Sequence, residues 1–246
     1  MPFKCIISAF LCFFFSQYSH SQSRIQKTFE GTINNTIPIV LTLTQAGNAV
    51  FGNVVYTKKG IPITVIGHIE EGTLFANELM ADGTVTGTYS GTLKGESISG
   101  SWFAPKSNSK ELKLNLKQTN SSSVAAKPLP NLTGTYFYSF GKDSGSGELK
   151  IIQNDPSKIT LGFDCINGPP AYNMAMIDKT TVKLIGNQAI YENNEFGKCK
   201  LRLIFETNLV QVDYVGDAYD CGFGNAASVV GNYIKIKTGK PVFDAK

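Results

Sequence analysis

The feature that most constrains this chain is an alternation of apolar and polar residues that recurs along most of its 246 residues. In VTGTYSGTL, residues 85–93, the side chains of Val85, Tyr89 and Leu93 fall on one face, and threonine and serine fall on the other. The segment LKLNLK, residues 112–117, repeats the pattern. Because successive side chains of a strand point to opposite faces, this period of two predicts half-buried β-strands.

About eight such segments lie between Thr28 and Gln118, and no window offers a capped helical stripe. Short turn signals separate them, which favours hairpin connections and an antiparallel meander. Since exposed strand edges promote aggregation, we expect the sheet to close into a barrel. The turn signals are Asn34-Asn35, Ala46-Gly47-Asn48, Lys59-Gly60, Glu71-Gly72, Asp82-Gly83, Lys94-Gly95 and Ser107-Asn108.

The second half of the chain has the same pattern with different residues, and it again contains about eight strand-like segments. We therefore predict an all-β protein with two tandem antiparallel up-and-down meander domains, each a closed or nearly closed barrel. The segments are LTGTYFYSF, GELKIIQ, ITLGFDC, TVKLIG, QAIYEN, CKLRLIF, LVQVDYV and GNYIKIK.

A change of composition separates the two halves. NSSSVAAKPLPN, residues 120–131, consists mainly of small residues and ends with two prolines, which is typical of a linker. We place the first β-barrel domain at residues 24–119 and the second, with a disulfide, at residues 132–240.

The first 21 residues are typical of a secretory signal peptide. They have a charged start at Lys4, an apolar run over residues 5–15, and small and polar residues around Ser21. The apolar run is too short to span a bilayer, which takes about 20 residues. Neither early cysteine follows a small residue as a lipid-anchored cysteine would. We expect a secreted or periplasmic protein with no membrane span.

The charges exclude one class of partner. The chain has 23 basic and 19 acidic side chains, for a formal net charge of +4, and its lysines are spread through the alternating segments. Nucleic-acid binding needs a clustered basic surface, so we expect no nucleic-acid partner.

Residues 220–233, DCGFGNAASVVGNY, contain Cys221 between an aspartate and a glycine. Such a cysteine could serve as a nucleophile, as a metal ligand or as half of a disulfide. A hairpin turn near Thr207 sets Cys199 opposite about residue 215, and the run GDAYDC brings Cys221 back over that strand end. We therefore predict a Cys199–Cys221 disulfide, which stabilises the fold by roughly 3 kcal/mol and suits an exported protein. Phe223, between two glycines, is expected to plug the barrel end.

The other chemistry-bearing residues give little support to catalysis or metal binding. After the signal peptide the only histidine is His68, in the first domain, so neither a Cys-His pair nor a Cys/His zinc site fits the second. Asp213, Asp217 and Asp220 do not have the spacing of a calcium loop. We expect no catalytic residues, metal or cofactor.

Cys165 shares a strand face with Ile159, Leu161 and Phe163. We expect a buried thiol there, with an intermolecular disulfide as the alternative.

The first domain, with its hairpin glycines and ISGSW at residues 98–102, resembles the small calycin-type barrels, avidin-like and lipocalin-like in layout. The second resembles a domain recurrent in exported bacterial proteins of unassigned function, on its LTGTYFY start, KCKLRLIF, DCGFG and the closing Gly231-Asn232-Tyr233. The resemblance covers most of residues 28–237 and implies a barrel architecture. Avidin-like biotin sites use several tryptophans, and this chain has only Trp102.

We expect an exported, non-enzymatic binding protein, because an eight-stranded barrel is wide enough for one small ligand. The ligand would be small and apolar, or a glycan or protein at the barrel rim. Aromatic side chains combine contact area with a polar tip, and the candidate contacts are Tyr136, Tyr138, Tyr172, Tyr191 and Phe223. The alternative is a secreted inhibitor of a cell-wall hydrolase such as lysozyme, with DAYDCGFG or NGPPAY as the inserted loop.

Overall fold

The computed structural model describes residues 24–105, 109–142 and 144–243, and in these ranges the regular structure is all β. The predicted signal peptide lies outside the described residues. The sixteen strands are β1 (Arg24–Ile33), β2 (Ile37–Ala46), β3 (Ala49–Tyr56), β4 (Pro62–Glu70), β5 (Thr73–Leu79), β6 (Val85–Lys94), β7 (Ser97–Phe103), β8 (Leu112–Val124), β9 (Gly134–Ser139), β10 (Ser146–Asp155), β11 (Lys158–Ile166), β12 (Met174–Ile185), β13 (Gln188–Asn193), β14 (Cys199–Glu206), β15 (Leu209–Tyr219) and β16 (Gly231–Lys237).

The strands form two closed antiparallel barrels, each a meander in chain order. Barrel 1 runs from β1 to β8 and closes where β8 pairs with β1. Barrel 2 runs from β9 to β16 and closes where β16 pairs with β9. The predicted fold class is confirmed, since two tandem meanders have removed their edges by closure.

Each barrel is filled by the apolar set of its alternating strands. In barrel 1, Leu41 and Leu114 point inward and are fully buried, as is Tyr89. In barrel 2, the side chain of Phe163 is 1% exposed and that of Phe205 is fully buried. Burying each such side chain contributes about 1.5–3 kcal/mol, so the interior packing stabilises both barrels.

The barrels also pack against each other through residues that alternation assigns to their outer faces. Phe51 and Ile66 of barrel 1 are 3% and 0% exposed and belong to the same apolar cluster as the core of barrel 2. The turn before β6 meets β9, where the Ser139 N–H donates to the Gly83 carbonyl at 2.9 Å. Gly83 has a φ of +86°, and a Cβ there would lie 2.8 Å from Phe137 Cδ1, so this contact requires glycine.

The start of the linker differs from the prediction. β8 extends through Val124 and pairs with β1, with Val124 opposite Arg24. Residues 120–124 are therefore strand residues. Their asparagine and serines are mostly exposed, so the strand needs no apolar alternation there, and composition alone favours a linker. The domain limits at residues 24, 132 and 240 stay predictions.

Candidate ligand-binding cleft between the barrels

A cleft of about 220 Å³ lies where β9 and β16 separate beside barrel 1. The two strands pair between Phe137 and Ile234 and towards Lys237, but not beyond Phe137 in the other direction. Tyr138 and Gly231 instead border the cleft, together with β4, β5 and β6 of barrel 1. The cleft is therefore a gap in the wall of barrel 2, and the outer face of barrel 1 covers one side of it.

The residues that line the cleft include no aspartate, glutamate, lysine or arginine, and two amide side chains lie there in series. Asn232 Nδ2 donates to Asn77 Oδ1 at 2.7 Å, and Asn77 Nδ2 donates to Thr88 Oγ1 at 3.0 Å. An amide side chain carries two donors and an accepting oxygen, so these groups keep further capacity for hydrogen bonds. Such a lining suits a ligand that both donates and accepts.

Gln211 is the least satisfied group of the lining. Its side chain is 1% exposed, Nε2 reaches the Val212 carbonyl only at 3.3 Å, and Oε1 has no hydrogen-bond partner. Rotating the amide by 180° would set Oε1 against the Val212 carbonyl, which is also an acceptor, and would leave both amide atoms without a partner. A buried polar atom without a partner costs about 1–3 kcal/mol, and a turn of the Gln211 side chain towards the cleft would let a bound ligand or water donate to Oε1.

Aromatic rings complete the cleft. Phe75 is 39% exposed, and its ring centroid lies 5.5 Å from that of His68. On the barrel 2 side, Tyr138 and Phe140 meet edge to face at 5.8 Å. These rings offer flat apolar surface beside the amides, which is a common composition for small-molecule sites.

Behind Tyr138 lies a buried layer that fixes its ring. Tyr233 packs against Tyr138 at 4.9 Å, and its hydroxyl donates to the Val229 carbonyl at 2.6 Å and lies 3.3 Å from Cys165 Sγ. Burial raises the pKa of Cys165 to about 11 and also raises the pKa of Tyr138 above its ordinary value. The layer is therefore neutral at ordinary pH, and Cys165 is a buried free thiol as predicted.

The five aromatic residues predicted as ligand contacts are not brought together, and only Tyr138 lines the cleft. Tyr136 is fully buried and donates to the Leu132 carbonyl at 2.9 Å. Tyr191 and Phe223 are half-buried against the core of barrel 2, and Tyr172 is 48% exposed in the loop after β11.

The predicted disulfide is present, with the Cα atoms of Cys199 and Cys221 4.7 Å apart. The pairing partner of Cys199 is Tyr219, not a residue near 215, because β15 bulges after Tyr214. Gly222 has a φ of +73°, and a Cβ there would lie 2.4 Å from the Phe196 ring, so the loop passes the bridge closely.

A second cluster that sequence reasoning missed lies inside barrel 1. The carboxylate of Glu78 is 1% exposed and accepts hydrogen bonds from the hydroxyl of Tyr89, the hydroxyl of Tyr56 at 2.7 Å and the indole of Trp102 at 3.1 Å. A buried carboxylate is tolerated when such donors surround it. The signal was available, because alternation in TLFANEL places Glu78 on the inward face with Leu74.

The opposite end of barrel 1 is apolar and nearly full. Its cavity, lined by Phe29, Leu43 and Leu74, has a volume of about 20 Å³. That volume holds about one water molecule, so it offers no room for an apolar ligand.

Comparisons with protein-family models, curated proteins and solved structures give no significant match to this chain. The calycin-type resemblance therefore stays a prediction. Within the described ranges, no group of histidine, cysteine and acidic side chains is arranged to hold a metal ion. The same ranges contain no helix that is long and apolar enough to cross a membrane.

Proposed function

We propose that this protein is an exported, non-enzymatic binding protein that holds a small, uncharged, hydroxyl-rich ligand in the interbarrel cleft. The observation that carries the proposal is Gln211, which lines a cleft that already contains two amides and whose buried Oε1 has no partner. A sugar hydroxyl both donates and accepts, so it would complement these groups, and its C–H face would lie on an aromatic ring.

The size of the cleft limits the ligand. Cavities for drug-sized molecules are about 300–1,000 Å³, and this one is about 220 Å³. A monosaccharide, or one sugar unit of a longer glycan at the rim, is the matching class. An apolar ligand inside barrel 1 has less support, because the cavity at its apolar end holds only about one water molecule.

Export is part of the proposal. The Cys199–Cys221 disulfide supports it, because disulfides persist in oxidising compartments.

The test is calorimetric titration with uncharged methyl glycosides, with glucuronate and lauric acid as charged and apolar comparisons. We expect binding of at least one methyl glycoside and much weaker binding of the two comparison ligands. If lauric acid alone binds, the polar-ligand proposal is wrong.

A substitution ties the binding to the cleft. Gln211→Leu removes the unpartnered amide, so it should abolish glycoside binding while leaving the free energy of unfolding unchanged or higher. Gln26→Leu is the matched control, because Gln26 lies on β1 and bonds to Thr44 far from the cleft. Binding that survives Gln211→Leu would place the ligand elsewhere.

Inhibition of a cell-wall hydrolase remains a second candidate, and the rim of barrel 2 at the disulfide favours it. Phe196 and Tyr219 are 64% and 62% exposed there, beside a loop that the disulfide holds in place. Exposed aromatics on a preorganised loop resemble the anchors of protein interfaces. In a lysozyme cell-lysis assay, wild-type inhibition that Phe196→Ser and Tyr219→Ser both remove would support this function.

A further inference from the structure

The wall of barrel 2 has a second opening, between β12 and β13. These strands pair only at Leu184–Ala189 and Ile185–Gln188, next to their hairpin turn. Continuing that register would pair Lys183 with Ile190 and Thr181 with Glu192, and neither pair forms within the described strands. The two strands therefore separate after the two residue pairs next to the turn.

The direction of the backbone groups follows from the neighbouring ladders. The Leu184 N–H donates to the Ser157 carbonyl on the β11 side at 2.7 Å. Because backbone groups of an antiparallel strand alternate between its two neighbours, those of Thr181 and Lys183 point towards β13. These groups have no ladder partner on that side.

The same alternation applies to β13. The Asn187 carbonyl accepts from the Phe205 N–H on the β14 side at 2.8 Å, so the backbone groups of Ile190 and Glu192 point towards β12. Two strand edges thus face each other without hydrogen bonds between them.

A groove of about 1020 Å³ lies along these edges and is bounded on its other side by linker residues 126–129. Thr181, Lys183, Ile190 and Glu192 all line it. Val182, whose side chain belongs to the inward set of β12, lines it too. The groove therefore follows the strand edges, not only the outer face of the barrel.

The charges along the groove are unequal. Glu192 pairs with Lys200 at 2.5 Å, and Arg24 pairs with Glu206. Lys127 and Lys183 line the groove and make no salt bridge in the described part of the chain. The unpaired charge is positive, which favours acidic side chains in whatever occupies the groove.

Apolar contacts are also available. Ile185 is 76% exposed and Ile190 is 37% exposed, and both line the groove. Lys183 and Ile185 project from the outer face of β12, and Ile190 projects from the outer face of β13, whereas Val182 belongs to the inward set. Since side chains of an extended peptide alternate between two faces, one face of a bound peptide would meet the lysine and the isoleucines together, and the other would point towards Val182.

We propose that this groove binds an extended acidic peptide of a partner protein, which adds a strand to the free edge of β12. Main-chain hydrogen bonds to Thr181 and Lys183 would supply the affinity, and Lys127 and Lys183 would select acidic side chains. The proposal concerns a site separate from the interbarrel cleft and does not depend on the proposed function.

The probe is a capped hexapeptide in which glutamate alternates with valine, titrated into the full chain and followed by fluorescence anisotropy. Two comparison peptides carry lysine in place of glutamate, or N-methyl groups on alternate backbone amides. We expect binding of the glutamate peptide only, because the lysine peptide has the wrong charge and the N-methyl peptide cannot complete the ladder.

Two variants locate the binding. In Thr181→Pro the lost N–H faces the groove and not β11, so the barrel should fold and peptide affinity should fall at least about tenfold. Lys183→Glu should weaken the glutamate peptide a few-fold and improve binding of the lysine peptide. Lys113→Glu, on barrel 1, is the charge control and should change neither.

Amide hydrogen exchange checks the mode independently. Bound peptide should slow exchange at Thr181 and Lys183 in the wild-type protein. No binding by folded protein, equal binding of all three peptides, or a dimer that Thr181→Pro dissociates would each overturn the proposal, the last because it makes a second copy the occupant.

Discussion

Asn232 in barrel 2 donates a hydrogen bond of 2.7 Å to Asn77 in barrel 1, across the cleft where β9 and β16 separate. The bond lies beside apolar packing in which Phe51 and Ile66 join the core of barrel 2. The two barrels are thus held together by a buried surface with a polar margin, and the cleft is part of that margin.

The Asn77–Asn232 pair should couple the two barrels energetically. We expect Asn77→Ala and Asn232→Ala each to lower the free energy of unfolding by about 1 kcal/mol, with a coupling energy of about 0.5–1.5 kcal/mol in the double-mutant cycle. Urea unfolding of the four proteins measures it. Strictly additive effects would show that the bond contributes nothing between the barrels.

Glu78 should be essential to barrel 1. Glu78→Gln replaces an acceptor oxygen with an N–H₂ group that faces the donors of Tyr56, Tyr89 and Trp102, so we expect destabilisation of about 1–3 kcal/mol. Trp102 is the only tryptophan, so its emission reports on this cluster directly. Glu192→Gln, in an exposed pair with Lys200, is the control and should cost little. Unchanged stability and emission in Glu78→Gln would contradict this role.

Local sequence pattern was sufficient for the strands and for barrel closure, because alternation depends only on which face of one strand is buried. The bulge after Tyr214 sets residues 215–218 opposite Lys200 alone, and it was not predicted because these four residues have the same polar and apolar mixture as the strand around them. A hairpin counted without a bulge therefore puts Cys199 opposite the wrong residue.

The cleft could not be predicted in the same way. Asn77 and Gln211 are polar residues on outward positions, and such residues normally face water. Gln211 is buried only because barrel 1 docks against barrel 2, and docking depends on the shapes of both surfaces. Glu78 is different, because its inward position follows from alternation within one strand.

Stability should fall at alkaline pH through Cys165. Burial raises the pKa of its thiol to about 11, from 9.0 for the unperturbed group, so the neutral thiol stabilises the fold below pH 9.0 and this contribution is lost as pH rises towards 11. At about pH 10.5 the loss should be about 2 kcal/mol. Urea unfolding near neutral pH and at about pH 10.5 measures it, and Cys165→Ala should show a smaller loss.

The buried tyrosines act in the same direction. Burial raises the pKa of Tyr136 and of Tyr233, so their ionisation also opposes folding at high pH and persists in Cys165→Ala. Below the alkaline transition, iodoacetamide should not label Cys165 in the native protein. Rapid labelling without unfolding would contradict the buried position of the thiol.

Removing the disulfide should loosen the rim of barrel 2 more than its wall. The bridge closes a loop across a sequence separation of 22 residues, so replacing Cys199 and Cys221 together by alanine should cost about 3 kcal/mol. β14 keeps its pairing with β13 through six residue pairs, whereas the segment after Tyr219 has only isolated backbone bonds, such as Asp220 N–H to the Lys198 carbonyl at 2.9 Å. We therefore expect hydrogen exchange to accelerate mainly in residues 220–226. Glycoside binding in the interbarrel cleft should be retained, because the barrel 2 residues that line the cleft, Gln211 and Asn232 among them, lie outside residues 220–226 and face each other in the β15–β16 pairing. Global unfolding of barrel 2 in the double alanine variant would show that the bridge holds the whole wall closed.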